Sequence, residues 1–273
     1  MKDPTTLSTE RFRTIITRFY RRYGRDLPWR RTRDSYRVLV SEFMLQQTQV
    51  ERVQNSYPKF LARFPDVASL ANARTAEVLA SWQGLGYNRR ALALQRSARK
   101  VMEQYEGRIP VEPHALVSFP GIGPATAGAV AAFAGNVPAV FIETNIRRVF
   151  IHFYFPGQDA VSDQSIEPLV DRTLDRKNPR EWYYALMDYG VHLKRKVPNP
   201  NRRSRHYRRQ SPFENSHRQI RGLILKALIS QEGLRFNRLS DIVRRPQQKV
   251  RKALDELIRE GFVRSARERF FIA

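Results

Sequence analysis

Two glycines around one apolar residue, Gly121-Ile122-Gly123, lie between Pro120 and Pro124 at the head of a run of small residues, ATAGAVAAFAG. Glycine lets a backbone turn sharply and approach a partner closely, and proline is tolerated in the first turn of a helix. The helix predicted over 125–134 aims its unsatisfied N–H groups at this turn, which suits a phosphate. An ordinary packing turn between two helices has the same local pattern. Downstream, Glu143 and Asn145 occupy the loop Phe141-Ile142-Glu143-Thr144-Asn145, just ahead of another helix. A further carboxylate, Glu42, is embedded in the apolar stretch SEFMLQQTQV, where a merely solvated glutamate is uncommon.

Helices must position these groups. Phe12, Ile15, Ile16, Phe19 and Tyr20 recur at helical spacing and predict a helix over 9–25. Leu27-Pro28-Trp29-Arg30 breaks it, and a second helix is expected over 35–54, carrying Glu42 and the polar insertion Gln46-Gln47-Thr48. Helical patterns continue over 55–64, 67–72, 75–82, 89–105 and 113–119, interrupted at Gln83-Gly84-Leu85-Gly86-Tyr87, and resume over 146–155, 163–174 and 179–193. The stretch 194–209, KRKVPNPNRRSRHYRR, has almost no apolar content. It is expected to be a basic linker or a loop ordered by DNA. Three helices over 217–231, 238–244 and 246–260, followed by a two-stranded alternation ending in Arg269-Phe270-Phe271-Ile272, form a winged-helix pattern, whose third helix commonly enters a major groove. The class is mainly α.

The chain has 273 residues, with 49 Lys and Arg against 26 Asp and Glu, a formal net charge of +23. An excess this large favours a polyanion partner, foremost nucleic acid. Cysteine is absent, which excludes disulfides, thiolate zinc sites and iron–sulfur clusters. Five scattered histidines give no metal-ligand spacing, so no metal site is expected. No apolar run of membrane-spanning length occurs, and MKDPTTLSTE carries no signal-peptide core. A cytoplasmic monomer is expected, nucleoid-associated if the source is prokaryotic.

Four separated motifs, Leu27-Pro28-Trp29-Arg30, Ser41-Glu42-Phe43-Met44-Leu45-Gln46-Gln47-Thr48-Gln49-Val50, Gly84-Leu85-Gly86-Tyr87 and Pro120-Gly121-Ile122-Gly123, together with Asn145 and Arg147-Arg148-Val149, resemble the adenine DNA glycosylase (MutY) family of helix-hairpin-helix glycosylases. The resemblance covers roughly residues 10–193. It implies a two-lobed helical core, 1–193, with a six-helix lobe at about 31–134 and the N-terminal helix packing with 135–193. A basic linker, 194–217, and a winged-helix-like domain, 218–273, follow. DNA would lie across a cleft with the target base flipped into a pocket. Glu42 matches the acid that protonates the leaving base; Glu143, oriented by Asn145, matches the carboxylate that stabilises the cationic sugar from the other side. The base pocket would hold Trp29, Arg30, Ala125 and Tyr184. DNA contacts would come from Gln46, Gln47, Thr48, Leu85, Gly86, Tyr87, Arg89, Gly121, Ile122, Gly123, Thr126 and Arg147, with Leu85 and Tyr87 as a wedge that holds an unstacked step open.

The chain departs from the family's pattern in several places. Glu143 stands where the family has Asp, and Tyr184 where an amide or carboxylate helps to read adenine. The four cluster cysteines expected after Gly190 are missing, and the oxoguanine-reading C-terminal domain gives way to the winged-helix pattern. Ala125 replaces the lysine of lyases, so base release without strand cleavage is expected. The resemblance implies a monofunctional glycosylase removing adenine opposite 8-oxoguanine or guanine. The alternatives are a thymine or uracil mismatch glycosylase, or a catalytically inactive lesion-sensing DNA-binding protein. Removal of 218–273 is expected to weaken DNA affinity while leaving excision detectable. DNA affinity should fall steeply and linearly on a log–log plot against salt, because arginines displace counterions from phosphates. Neutralising Arg202, Arg203 and Arg205 should flatten that slope, as measured by binding titrations at several salt concentrations.

Overall fold

The computed structural model describes residues 7–209 and 212–273. In chain order the helices are α1 (Thr9–Tyr23), α2 (Ser35–Leu45), α3 (Val50–Arg63), α4 (Val67–Asn72), α5 (Thr75–Ser81), α6 (Arg89–Gln104), α7 (Pro113–Leu116), α8 (Pro124–Gly135), α9 (Thr144–Tyr154), α10 (Asp163–Thr173) and α11 (Pro179–Lys196). Single 3-10 turns occupy Pro28–Arg30 and Pro200–Arg203. Then come α12 (His217–Ser230), β1 (Leu234–Arg235), α13 (Phe236–Val243), α14 (Gln247–Arg259), β2 (Val263–Ala266) and β3 (Arg269–Ile272). The fold is mainly α.

The chain forms two compact units. The first contains the described residues up to Leu39 together with Pro110–Arg209. Ser8 caps α1 by accepting from the Arg11 N–H at 3.2 Å, and α1 lies against α10 and α11. Phe12 anchors this core, with the rings of Phe150, Tyr154 and Trp182 at centroid distances of 5.2–6.0 Å. α8 is apolar on every side, so it needs cover all round. Gly128 admits the Phe141 side chain, which would clash at 2.7 Å with any added Cβ, and Phe133 stacks on Tyr184 at 4.4 Å. These contacts hold α8 in the first unit rather than in a six-helix lobe reaching to residue 134.

The second unit contains Val40–Ile109 and the described residues from Pro212 onward. Trp82 and Phe60 are fully buried at its centre. Its C-terminal part is a three-stranded antiparallel sheet in the order β1-β3-β2 below three helices. The element order is that of a winged helix. The sequence pattern missed β1, which at two residues is too short to alternate. α12 lies against α5, so residues 218–273 share a core with 40–109 and do not form a detachable domain. Truncation before residue 218 would uncover that core, and an excision-competent remnant is not the outcome this packing supports.

Two further expectations change. The helix predicted over 35–54 ends at Leu45 and restarts at Val50, with Gln47 at φ +54° in the turn between. The supposed linker also begins as folded structure. α11 runs to Lys196; Asn201 is buried and donates to the Thr144 carbonyl at 2.9 Å. Arg205 N–H donates to the Val161 carbonyl, and the Val161 N–H to that of Arg203. The Arg203 guanidinium donates to the carbonyls of Phe155 and Ile151. Arg203 therefore serves the interior, and only Arg202 and Arg205 of the three remain as exposed candidates for phosphate.

A buried cation links the pieces of the second unit. Arg90, 8% exposed, donates to the carbonyls of Phe43 (2.9 Å), Met44 (3.0 Å), Gln46, Leu85 (3.2 Å) and Gly86 (2.9 Å), and to the Thr48 hydroxyl (2.9 Å). Arg90→Ala would leave these acceptors buried and unpaired. It should lower stability by about 3 kcal/mol, whereas Arg89→Ala, at an exposed ion pair, should cost less than about 1 kcal/mol. Urea unfolding of the two variants tests this.

Candidate active site

The start of α9 concentrates the polar chemistry of the first unit. Glu143 is the N-cap of α9: one carboxyl oxygen accepts from the N–H groups of Asn145 (2.6 Å) and Ile146 (2.8 Å). The other accepts from Asn145 Nδ2 at 3.1 Å. Burial pushes this carboxyl above the usual glutamate range, although the helix N–H groups and the nearby Arg148 and Arg147 pull the other way. Asn145 is fixed in turn, because Arg148 Nη1 donates to its Oδ1 at 2.6 Å and to the Gly190 carbonyl at 2.8 Å. Arg148 Nε donates to Asn199 Oδ1 at 3.1 Å. Gly190 permits this packing: a Cβ there would lie 2.5 Å from the Asn145 carbonyl oxygen and 2.6 Å from its Cβ. The arrangement can hold a carboxylate rigidly at a helix start.

Arg30 is fixed by a partner that the sequence did not indicate. Asp188, 3% exposed, receives both terminal nitrogens of Arg30 at 2.8 Å. It also receives the backbone N–H of Arg25 at 2.8 Å and the Arg25 Nε at 2.7 Å. The Arg30 guanidinium lies 4.4 Å above the Tyr184 ring, and Arg180 donates to the carbonyls of Arg30 (2.8 Å) and Thr32 (2.6 Å). Trp29 and Tyr184 are buried, while Ala125 is half-buried on the first turn of α8. Arg30 and Tyr184 are thus brought together, but the fork of Arg30 is already occupied by Asp188. The sequence signal for that partner is Asp188 itself, the one acidic residue between Trp182 and Leu193.

In the hairpin, Gly121 takes φ +76° and Gly123 caps α8 with Pro124 in the first turn. The Ile122 N–H donates to the Phe119 carbonyl at 3.2 Å and its side chain is buried, so Ile122 builds the turn instead of offering its N–H to a phosphate. Thr126 is half-buried in the first turn of α8. Arg147 is tied to Asp163 through two hydrogen bonds of 2.6 and 2.7 Å, which takes its fork from the expected DNA contact.

In the second unit, Glu42 is half-buried on α2. Gln46 and Thr48 are half-buried and Gln47 is exposed. Leu85 is buried and acts as a core residue of its turn, not as an exposed wedge. Tyr87, at φ +48° after Gly84 and Gly86 at φ +87° and +71°, is the half-exposed group there. Arg89 is exposed but paired with Glu260. Sequence reasoning named Arg89 and missed Arg90, whose side chain holds the turn. Burial without a carboxylate partner pushes the Arg90 guanidinium down to about 10.

Residues 40–171 match the model of the HhH-GPD superfamily base excision DNA repair protein. The adenine DNA glycosylase of Mycolicibacterium smegmatis is 33% identical over 279 residues, covering 93% of this chain and 94% of that protein. The chain belongs to the adenine DNA glycosylase family. Among other adenine DNA glycosylases, that of Buchnera aphidicola subsp. Baizongia pistaciae is 33% identical over 190 residues, 68% of this chain and 53% of that one. The human protein is 37% identical over 192 residues, 66% and 35% respectively. The chain therefore spans about half, or less, of the length of several relatives it matches. A thermostable thymine-DNA glycosylase superposes with a TM-score of 0.61 at 28% identity, covering 67% of this chain and 86% of that one. An endonuclease III in a non-covalent DNA complex, 17% identical with a TM-score of 0.60, shares the fold.

The Asp188 cluster gives this adenine DNA glycosylase family member a pH signature. Burial alone would raise Asp188, but hydrogen bonds and charge from Arg30 and Arg25 outweigh it and hold the carboxyl below the usual aspartate range. A depressed folded-state pKa contributes stability above the unfolded aspartate value of about 3.9. That contribution is lost as pH falls through the folded value. The stability gap between the native chain and Asp188→Asn should be constant from neutral pH down to about 5 and shrink below about 4. Chemical unfolding across this range measures it.

Proposed function

We propose that the protein is a monofunctional DNA glycosylase that hydrolyses the N-glycosidic bond of a mispaired base in duplex DNA, with adenine opposite 8-oxoguanine or guanine as the leading substrate. The observation that carries the reading is the Glu143 carboxyl, locked at the start of α9 by Asn145 and Arg148. As the base departs, positive charge develops on the sugar, and a preorganised carboxylate stabilises it without reorganising. Glu42 donates a proton to the leaving base, and a water molecule adds to the sugar to give an abasic site and a free base. The N–H groups at the start of α8 hold a phosphate of the same strand. Ala125 offers no amine for a Schiff base, which leaves hydrolysis as the route.

The chemistry is proposed to run without a cluster. The segment after Gly190 offers amides, guanidiniums and hydroxyls, such as Asn199, Asn201, Arg203 and Ser204. Iron–sulfur clusters are held by thiolates, so these residues do not fit one. A second reading, a thymine or uracil mismatch glycosylase, is favoured by Tyr184. Its ring is stacked on Phe133 and lies against the Arg30 guanidinium, where a base-reading amide or carboxylate would otherwise stand.

Duplexes that each carry one mismatch or lesion, tested for alkali-labile sites under single-turnover conditions, separate these readings. Release should be fastest with adenine opposite 8-oxoguanine or guanine; fastest release of thymine or uracil opposite guanine would establish the second reading. On the best duplex, Glu143→Gln should lose at least about 100-fold in excision with binding nearly intact, and Glu42→Gln should abolish excision. Glu143→Asp should stay active, because aspartate is also a good N-cap. Selective binding with no base release from any duplex would leave a DNA-sensing protein and remove the catalytic reading.

A further inference from the structure

The segment after α11, where the family's pattern has its cluster cysteines, is folded onto α9. Its 3-10 turn, Pro200–Arg203, lies against that helix, and Pro200 and Asn201 are buried. Main-chain bonds of 2.9 and 3.0 Å tie Arg203 and Arg205 to Val161 and hold its far end. The turn lies outside residues 40–171, which carry the match to the family model. We infer that Asn199 and Asn201 are positioning residues for the Glu143 carboxyl, and that this polar turn sets both carboxyl oxygens through hydrogen bonds. The inference rests on the proposed glycosylase reading and extends that site beyond the family's motifs.

Each asparagine reaches a different oxygen of the carboxyl. Asn201 Nδ2 donates to the Thr144 carbonyl at 2.9 Å. That carbonyl shares one planar peptide group with the Asn145 N–H, and this N–H donates to Glu143 Oε1 at 2.6 Å. Fixing the oxygen therefore fixes the direction of the N–H, and donation to the oxygen strengthens the N–H as a donor. Asn199 works through side chains. Its Oδ1 accepts from Arg148 Nε at 3.1 Å and from the Asn201 N–H at 3.2 Å, which ties the two arms together. Arg148, 4% exposed, passes the constraint on through Nη1 to Asn145 Oδ1 at 2.6 Å. With its oxygen turned to the guanidinium, the Asn145 amide presents Nδ2 to Glu143 Oε2 at 3.1 Å. A flipped amide would set oxygen against oxygen.

A turn that served packing alone would not need these amides. Asn201 Oδ1 is buried without a hydrogen-bond partner among the described residues, an arrangement that costs stability. An apolar side chain would avoid that cost but would lose the donor to Thr144. Packing is served elsewhere in the turn, where Arg203 donates to the carbonyls of Phe155 and Ile151 at the other end of α9. A carboxylate stabilises a cationic sugar best when it is already held in place. Glutamate has one more torsion to restrain than the aspartate of the family's pattern, and fastening both oxygens removes that freedom.

The test uses the full chain. On the duplex excised best, single-turnover rates at saturating enzyme should fall about tenfold in Asn199→Leu and in Asn201→Leu, the rate equivalent of one lost hydrogen bond. Asn199→Asp keeps the acceptor for Arg148 and should stay within about threefold of the native rate. Arg203→Ala should lose stability with its rate unchanged. In the Glu143→Gln background both leucine substitutions should change the rate less than about twofold, because residues acting through one group are not additive; a purely structural role lowers both backgrounds alike. Binding gives a second readout on uncleavable duplexes, one with a cationic pyrrolidine abasic analogue and one with a neutral tetrahydrofuran. Native protein should favour the cation, and both leucine substitutions should cut that preference about tenfold, with Asn199→Asp restoring it. If either leucine substitution prevents folding, Asn199→Ser or Asn201→Ser takes its place in every comparison. Equal losses in both backgrounds, or a cation preference unchanged by both substitutions, would overturn the inference. If no duplex releases a base, a cation preference that depends on Asn199 and Asn201 sinks the excision reading alone. Normal excision with rates and preference unchanged by both substitutions sinks only this one.

Discussion

A guanidinium taken out of water must find oxygen, and the last turn of a helix has carbonyl oxygens with no donor. Arg90 satisfies both needs. Its side chain gathers the C-terminal carbonyls of α2, the hydroxyl of the next turn and two carbonyls of the glycine turn before its own helix. Two loops distant in sequence thereby become one rigid edge. Arg180 does the same for Arg30 and Thr32, Arg203 for the end of α9, Arg13 for Thr173 and Leu174, and Arg99 for Ala71. Part of the large positive charge thus supports the interior, so the charge excess overstates what is available to a phosphate backbone. Lysine, with a single ammonium, could not span such sets of acceptors.

The start of α9 shows how one residue can serve fold and chemistry together. Glu143 caps its helix, which a purely structural glutamate would also do. What distinguishes it is the support behind it, from Asn145 to Arg148 to Gly190 and Asn199. The Glu143 carboxyl accepts from the first N–H groups of its own helix, which keeps it at the helix start.

Much of this was legible in the sequence because it depends on local rules. Helix spacing located α4, α6 and α10 within a residue or two, and the glycine pairs at 84 and 86 marked a turn that needs positive φ. The break between α2 and α3 was hidden, because the apolar spacing resumes at Val50 and Val53 after the polar Gln46–Gln49, and the carbonyls bared at the break are taken by Arg90, more than forty residues away. The Asp188 partner of Arg30 and the ties of Arg147 and Arg203 were hidden likewise: a charged residue in a sequence does not announce whether it faces solvent, DNA or another side chain. The association of 40–109 with the C-terminal helices is a matter of tertiary packing that no periodicity encodes.

That association has a consequence for how the polypeptide is made. Val40–Ile109 and the residues after Pro212 share one core, yet roughly 100 residues of the other unit are translated between them. At about 5–20 residues per second, the surface of α5 that α12 will cover waits for about 5–20 s on the ribosome. During that interval the nascent chain exposes apolar surface that no local segment can hide. The unit that closes last carries the Gln46–Thr48 and Gly84–Arg89 turns. Chaperone dependence and the yield of soluble protein should therefore respond most to substitutions where α5 meets α12.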